Sequence, residues 1–200
     1  MLRIIAGIHR GRRIEAPEGR DTRPTLDRVR ENLFNMLQGR CMDARVLDLF
    51  AGSGALGLEA LSRGAEGAVL CDHDREAARI ERKNIQALRE EKRARVLTCD
   101  WSRAVSLLKG ERARFDLIFL DPPYAMTDLR EMTEALLPLL AEDGMMVLEH
   151  QAEARIRVTD ALEAVRSRSW GYCGVTFFQP EPAGEEESPR AGEERKEAKE

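Results

Sequence analysis

The chain has 200 residues, of which 42% are hydrophobic and 34% are charged, and its formal net charge is −4 at pH 7. This length allows one α/β domain with a small appendage, and it excludes two large domains. The charge is uneven, because residues 181–200 hold eight acids and four bases whereas residues 1–13 hold four arginines and no acid. A basic N-terminal arm on a balanced body favours an anionic partner.

The first 40 residues predict a hairpin followed by a helix. Residues 2–7 and 14–16 have the composition of two short strands, and the basic segment 8–13 would form the turn between them. Residues 22–25 end the next loop. A helix with apolar residues at helical spacing then follows, and Gly39 ends it.

From residue 44 the pattern alternates between strands and helices, which is typical of a parallel sheet covered on both faces. Strands are predicted at residues 45–50, 67–72, 94–99, 115–120 and 145–150. Helices are predicted at residues 55–63, 75–91, 101–109, 127–141 and 161–165. An antiparallel hairpin is predicted at the sheet edge from residues 166–172 and 174–179, and a disordered acidic tail from residues 181–200.

The four cysteines are far apart in the sequence and show no paired spacing of the kind that metals or redox pairs need: Cys41, Cys71, Cys99 and Cys173. They indicate small core residues in a reducing compartment, and no metal is expected. No segment has the length of a membrane span or the order of a signal peptide. The sequence therefore predicts a cytoplasmic protein.

A glycine loop follows the first predicted strand of the sheet. Gly52 and Gly54 allow close approach of the backbone to a ligand, and the start of the next helix offers unpaired N–H groups. Together with Gly57 they match the dinucleotide fingerprint, which NAD-binding and S-adenosylmethionine-binding domains share. Asp48 lies just before the loop and would repel a pyrophosphate, so it favours a cationic cofactor that carries an amino acid.

Three further strands also end in acidic residues, namely Asp72, Asp100 and Asp121. With Asp48 they would place four carboxylates on one rim of the sheet, which is hard to explain by packing. Asp72 suits the hydroxyl groups of a ribose. Asp100 suits either an adenine amine or the N-cap of the following helix, and the two roles are compatible.

The fourth strand runs into Asp121-Pro122-Pro123-Tyr124. Two prolines fix φ and donate no backbone hydrogen bond, so the turn is stiff and offers the carbonyls of Asp121 and Pro122 as acceptors. Tyr124 offers a stacking face. A nucleobase amine that donated to these acceptors would turn its nitrogen lone pair toward an electrophile. The alternative interpretation is a plain turn at the end of a strand.

With these residues the chain resembles the class I S-adenosylmethionine-dependent methyltransferases, and among them the bacterial RsmD family of 16S ribosomal RNA guanine-N2 methyltransferases. The likeness covers nearly residues 1–180 and rests on four motifs, at residues 3–7 with 11–13, 22–25 with 27–31, 47–54 and 121–124. It implies a Rossmann-like, mostly parallel seven-stranded sheet with helices on both faces and an antiparallel C-terminal hairpin. It also implies that residues 41–180 form the methyltransferase domain, and that residues 1–40 hold RNA or cover the active site.

The motifs and the resemblance together assign three groups of residues, in a protein that is expected to be a monomer acting on 16S ribosomal RNA of an assembling small subunit. The predicted catalytic residues are Asp121, Pro122 and Tyr124. The predicted cofactor-binding residues are Asp48, Phe50, Ala51, Gly52, Ser53, Gly54, Asp72, His73, Asp100, Trp101 and Asp121. The predicted RNA-binding residues are Arg3, Arg10, Arg12, Arg13, Arg23, Thr25, Arg28 and Arg30.

Three other functions remain open at this point. A DNA adenine-N6 or cytosine-N4 methyltransferase shares the chemistry of residues 121–124, but it normally needs a sizeable target-recognition segment, and no insert here is long enough. An NAD-dependent dehydrogenase would need a catalytic domain in addition to the glycine loop. A non-catalytic RNA-binding assembly factor would keep the fold alone, and Asp121 and Tyr124 argue against it.

Overall fold

The computed structural model describes residues 2–17, 24–37 and 39–181. Two short strands, Leu2–Arg3 (β1) and Arg13–Ile14 (β2), pair antiparallel and precede helix Pro24–Met36 (α1). The predicted N-terminal hairpin and helix are therefore confirmed, although the strands are shorter than predicted. Arg23 and residues 182–200 of the predicted acidic tail lie outside the described residues.

The main sheet has seven strands in the order β5-β4-β3-β6-β7-β9-β8. The strands are Arg45–Asp48 (β3), Gly67–Asp72 (β4), Ala94–Thr98 (β5), Phe115–Leu120 (β6), Leu140–Gln151 (β7), Leu162–Trp170 (β8) and Cys173–Pro180 (β9). The first five in the spatial order are parallel, and β9 runs antiparallel to both of its neighbours. This arrangement is the Rossmann-like sheet that the resemblance to class I methyltransferases implies.

Helices cover both faces of this sheet. In addition to α1, they are Ala55–Ser62 (α2), Arg75–Leu88 (α3), Trp101–Gly110 (α4) and Arg130–Leu136 (α5). Alternate residues of β6 point to opposite faces, as the pleat of a strand requires. Phe119 packs into a core with α1 and α2, and its ring lies 5.7 Å from that of Phe34. Ile118 packs into a second core with α4 and α5.

The N-terminal segment, which comprises residues 2–17 and helix α1, shares the first of these cores. Ile4 and Ile14 from the hairpin are 0% and 5% exposed, and they belong to the same cluster as Leu33 of α1 and Phe119 of β6. The hairpin is thus packed against the body of the molecule. None of the helices within the described ranges is long and apolar enough to cross a membrane.

The predicted helix at residues 161–165 is wrong, because these residues belong largely to strand β8. Leu162 pairs with Pro180 and Ala164 with Phe178, so strand pairing with β9 overrides the local helix propensity. The helix predicted at residues 127–141 is shorter than expected. It ends at Leu136 and continues as one 3-10 turn that contains Pro138, whose ring removes a backbone donor.

Candidate active site at the carboxyl edge of the sheet

The strand order reverses between β3 and β6, and ligands of open α/β sheets bind in the crevice at such a point. Asp48 ends β3 and Asp121 directly follows β6. A cavity of about 150 Å³ opens here between the strand ends, the glycine loop and the N-terminal segment. It is lined by Leu2, Ala16, Pro17, Val29, Arg30, Asp48, Phe50, Ala51, Ser53, Ala55, Leu56, Asp121 and Glu149.

Two of the predicted carboxylates hold the glycine loop in place. Gly52 and Gly54 have positive φ angles of 57° and 77°, in the left-handed region that favours glycine. The N–H of Gly52 donates to Oδ2 of Asp72 at 3.0 Å, and the N–H of Gly57 donates to Oδ2 of Asp48 at 3.0 Å. The carboxylates of β3 and β4 therefore fix the turn between β3 and α2.

Asp48 is only 1% exposed. Burial raises the pKa of its carboxyl group to about 7, and the nearby charge of Asp72 acts in the same direction, against the hydrogen bond from Gly57. Its Oδ1 atom is buried and has no hydrogen-bond partner within the described residues. Since Asp48 also lines the cavity, an amino group bound there would supply the missing donor. Asp48 thus fits the amino-acid part of S-adenosylmethionine.

The burial of Asp48 leads to a testable prediction about how the free energy of unfolding depends on pH. Its pKa in the folded protein, about 7, lies above the ordinary value of 3.8, so the folded state holds the proton more tightly. The stabilisation is complete below pH 4 and is lost as the pH rises through 7. Between pH 5 and pH 8 we expect wild type to lose about 3 kcal/mol more unfolding free energy than Asp48→Asn.

Urea denaturation of both proteins at the two pH values measures this difference. Burial also raises the pKa of Glu81 to about 8, and the charge of Asp48 raises it further. Asp48→Asn removes this second influence, so any change at Glu81 adds to the expected difference in the same direction. Parallel pH profiles for wild type and Asp48→Asn would contradict the assignment of a raised pKa to Asp48.

A second cavity of about 470 Å³ lies beside the end of β4 and is lined by Pro17, Asp72, His73, Asp74, Arg75 and Ala77. Asp72 accepts from the N–H groups of Gly52 and Asp74, at 3.0 and 2.9 Å. A carboxylate has about four lone-pair sites, so Asp72 retains capacity to accept from ribose hydroxyls. The His73 side chain is 77% exposed, and its Nδ1 atom lies 3.4 Å from Oδ1 of Asp72.

Asp100 caps helix α4, which is one of the two roles predicted for it. The exposed carboxylate accepts from the Ser102 hydroxyl at 2.6 Å and from the Arg103 N–H at 3.0 Å, and these bonds hold its pKa below the usual range. Trp101 is half-buried against the core on the α4 side. Neither residue is among those that line the two cavities. Contact of Asp100 and Trp101 with an adenine stays a prediction.

The segment after β6 places Asp121 in the lining of the cavity, and Pro122 and Tyr124 in an adjoining small crevice. Asp121 is half-buried, Pro122 is buried and Tyr124 is 41% exposed. The N–H of Met126 donates to the carbonyl of Pro123 at 2.8 Å, which closes the turn. Burial raises the pKa of the Tyr124 phenol, and the nearby Glu149, Cys173 and Asp121 raise it further. Tyr124 and Glu149 also line the same small crevice.

Glu149 is the residue at this edge that the sequence reasoning missed. Leu120 of β6 pairs with Leu148 of β7 in parallel register, so Asp121 and Glu149 are the next residues on neighbouring strands. Glu149 lines the same cavity as Asp48 and Asp121. The sequence could have indicated Glu149, because it is an acidic residue at the end of a predicted strand. The same criterion indicates Asp48, Asp72, Asp100 and Asp121.

The predicted RNA-binding residues divide into two groups. Five arginines of the N-terminal segment are exposed, namely Arg3, Arg10, Arg12, Arg13 and Arg28. Arg30 is 6% exposed and donates to the carbonyl of Arg3 and to Oδ1 of Asp27, so it is engaged in packing α1 against β1. Thr25 lies in the first turn of α1, and Arg23 lies outside the described residues.

A buried carboxylate ties the N-terminal segment to α2. Glu59 is 0% exposed and accepts from the N–H groups of Ile5 and Ala6, at 2.7 and 3.0 Å, and from Nε of Arg63 at 2.7 Å. The next residue, Gly7, has a φ of +78°, and a Cβ atom there would lie 1.8 Å from the carbonyl oxygen of Ser62. The segment therefore lies directly on the helix backbone.

Asn84 of α3 links the same segment to the glycine loop. Its Oδ1 atom accepts from the N–H of Glu15 at 2.8 Å, and its Nδ2 atom donates to the carbonyls of Glu15 and Ser53, both at 2.9 Å. The adjoining residues Ala16 and Pro17 line the 150 Å³ cavity. The N-terminal segment is thus part of the candidate site.

Comparisons with known proteins agree with this arrangement. The family model "Conserved hypothetical protein 95" matches residues 2–179. The ribosomal RNA small subunit methyltransferase D of Escherichia coli K12 is 38% identical over 194 residues, which cover 94% of each chain. The protein of the same name from Haemophilus influenzae is 37% identical over 187 residues, which cover 89% of this chain and 93% of that one.

Among solved structures, yhhF from Escherichia coli superposes with a TM-score of 0.76 at 38% identity, covering 90% of this chain and 98% of that chain. The matches span the N-terminal segment as well as the sheet, so the likeness extends beyond the widespread glycine loop. The chain therefore belongs to the conserved hypothetical protein 95 family, the family of the ribosomal RNA small subunit methyltransferases D.

Proposed function

We propose that this protein transfers a methyl group from S-adenosylmethionine to the exocyclic N2 amine of one guanine in small-subunit (16S) ribosomal RNA. The observation that carries the proposal is that Asp121, the first residue of the Asp-Pro-Pro-Tyr turn, lines the cavity that the glycine loop closes. Tyr124 follows in the same turn and shares a small crevice with Glu149, which also lines that cavity. The relatives named ribosomal RNA small subunit methyltransferase D support the choice of RNA as the acceptor.

The residues of the cavity fit S-adenosylmethionine. Asp48 would hold the amino group through its Oδ1 atom, the backbone of residues 50–54 would follow the cofactor, and Asp72 would accept from the ribose hydroxyls. When bound, this cofactor supplies a methyl group on a positively charged sulfur, which leaves as a neutral thioether. Asp48 and Asp72 would add favourable charge for that cation.

The chain's own groups would act mainly by positioning the base. The target guanine leaves its stack and lies against Tyr124, and its N2 amine donates to the Asp121 carboxylate and the Pro122 carbonyl. These bonds turn the nitrogen lone pair toward the methyl carbon and stabilise the positive charge that develops on nitrogen. The amine that gains the methyl group would become acidic, and Asp121 or water would take its proton.

The exposed arginines of the N-terminal segment would bind the RNA backbone. The substrate would be a small subunit that is still assembling, and the enzyme would act as a monomer. Replacing both Arg10 and Arg13 by glutamine should weaken RNA binding. The logarithm of the association constant falls as the logarithm of the salt concentration rises, and the variant should make this slope shallower by about 1.4 to 1.8. The matched control replaces Arg112 and Arg114, two exposed arginines near the opposite end of the sheet. An equal loss in both double variants would contradict a specific role for the N-terminal segment.

A transfer assay with radioactive methyl groups separates this proposal from its alternatives. Small subunits from cells that lack the enzyme should accept label, whereas duplex DNA should not. Label on DNA would favour an adenine-N6 or cytosine-N4 methyltransferase. Binding to the subunits without any transfer of label would favour a non-catalytic assembly factor.

A further inference from the structure

We propose that Glu149 selects guanine, by accepting a hydrogen bond from the ring N1–H of the base whose N2 amine is held at Asp121. This inference rests on the proposed function and adds a specificity-determining residue to it. Glu149 would contact the substrate base and would take no part in binding the cofactor.

The register of the sheet places the two carboxylates side by side. Leu120 and Leu148 are partners in the parallel ladder of β6 and β7, and Asp121 and Glu149 follow them. Neighbouring strands lie about 4.8 Å apart, and residues in register on parallel strands point to the same face. Phe119 and Val147, two positions earlier, both pack into the core on the α1 and α2 side. Both carboxylates therefore point toward the cavity beneath the N-terminal segment.

Glu149 also lies beside Tyr124, the side chain on which the base would stack. It lines the 150 Å³ cavity with Asp121, and it lines a small crevice with Pro122, Pro123 and Tyr124. After burial, the Glu149 charge is the largest influence that raises the pKa of the Tyr124 phenol. Glu149 therefore lies between the 150 Å³ cavity proposed for the cofactor and the Asp-Pro-Pro-Tyr turn.

The surroundings of Glu149 leave its charge weakly compensated. Burial raises the pKa of its carboxyl group, against a hydrogen bond from the Cys173 thiol and the influence of His150. No lysine or arginine of the described residues forms an ion pair with it. Half-buried charge of this kind is costly unless a donor compensates it, and a base N–H would do so.

Two adjacent acceptors require two adjacent donors, and this requirement distinguishes the bases. In guanine the N2 amine lies beside N1–H, so both neighbouring groups donate. In adenine the N6 amine lies beside the N1 lone pair, and in cytosine the N4 amine lies beside the N3 lone pair. Either lone pair would face the negative charge of Glu149. The pair Asp121 and Glu149 therefore favours guanine over the targets of the DNA methyltransferases.

The test replaces the target guanine by 2-aminopurine, which keeps the N2 amine but has a lone pair at N1. The target position is first mapped with the wild-type enzyme, and subunits are then reconstituted with either base. For wild type, kcat/KM should fall by about 10²-fold or more on 2-aminopurine, because a site built to accept from N–H rejects a base that lacks it. In Glu149→Gln the amide can donate to N1, so the preference should vanish or reverse.

Two further variants keep the result interpretable. Glu149→Asp retains the carboxylate with a shorter reach, so it should be slower on guanine yet still reject 2-aminopurine. Glu153→Gln, an exposed residue beyond β7, should match wild type. The Kd of S-adenosylmethionine, measured by calorimetry, should stay unchanged in Glu149→Gln.

Wild-type discrimination in Glu149→Gln would overturn the inference, and so would weakened cofactor binding, which would assign Glu149 to the cofactor. If Glu149→Gln fails to fold, Glu149→Asp decides, since equal use of both bases by that variant would also overturn it. The mapping step tests the proposed function separately. A wild-type enzyme that methylates no guanine would refute that function before any Glu149 variant is made.

Discussion

Replacing Asp121 by alanine should lower the rate of methyl transfer by about 10³-fold or more, because the variant would lose both the acceptor proposed to orient the amine and the charge proposed to stabilise the nitrogen. Cofactor affinity should remain within about threefold of wild type, since Asp48 and Asp72 hold the glycine loop independently of Asp121. Single-turnover transfer to small subunits measures the first quantity. Calorimetric titration with S-adenosylmethionine measures the second.

Asp116 provides a matched control on the same strand. It lies at the opposite end of β6, where its partly exposed carboxylate accepts from the backbone and side chain of Arg45. Asp116→Asn keeps an acceptor there and should leave transfer unchanged. Turnover close to wild type in Asp121→Ala would contradict the catalytic role of Asp121. Loss of cofactor binding together with transfer would show that Asp121 acts mainly through the cofactor, which is the other role that the sequence predicts for it.

The second large effect is expected for Glu59→Ala, which should lower the free energy of unfolding by about 3–5 kcal/mol. The substitution leaves the N–H groups of Ile5 and Ala6 and the charge of Arg63 without their buried acceptor. Urea denaturation measures the loss. Since the same bonds hold the N-terminal segment on α2, trypsin should also cleave after Arg10, Arg12 and Arg13 faster than in wild type.

Glu66→Ala is the control for this prediction, because Glu66 is exposed in the turn that follows α2. It should change the free energy of unfolding by no more than about 0.5 kcal/mol. A similar small change in Glu59→Ala would show that the buried carboxylate contributes little. Lower stability without faster cleavage would show that the N-terminal segment unfolds only with the rest of the molecule.

Most of the sheet follows from local patterns in the sequence. Buried parallel strands are continuous apolar runs such as residues 115–120, and the glycine loop marks the first crossover, so the strands and the location of the site could be predicted together. The error at residues 161–165 has a different origin. These residues form a strand because β9 pairs with them, and such long-range pairing leaves little trace in a local pattern.

The sequence marks the candidate site most clearly where a short local motif contains the residues concerned. Asp121 and Tyr124 lie in a distinctive turn, whereas Glu149 becomes visible only once Leu120 and Leu148 are known to be partners. The sequence pattern also does not reveal how deeply a polar side chain is buried. Arg30 and Asp48 are both charged residues in the sequence, yet the structure buries them at 6% and 1% exposure, which decides the contacts that each can make. Neither register nor burial can be read from spacing alone.

The most direct test of the central claim is the identity of the methylated nucleoside. Small subunits from cells that lack the enzyme are incubated with purified protein and labelled S-adenosylmethionine, and the RNA is digested to nucleosides and separated by mass. The account predicts that all label enters N2-methylguanosine, at a single position of the 16S RNA, with Asp121→Ala as the blank. Label in any other nucleoside, or no label with well-folded protein, would contradict it.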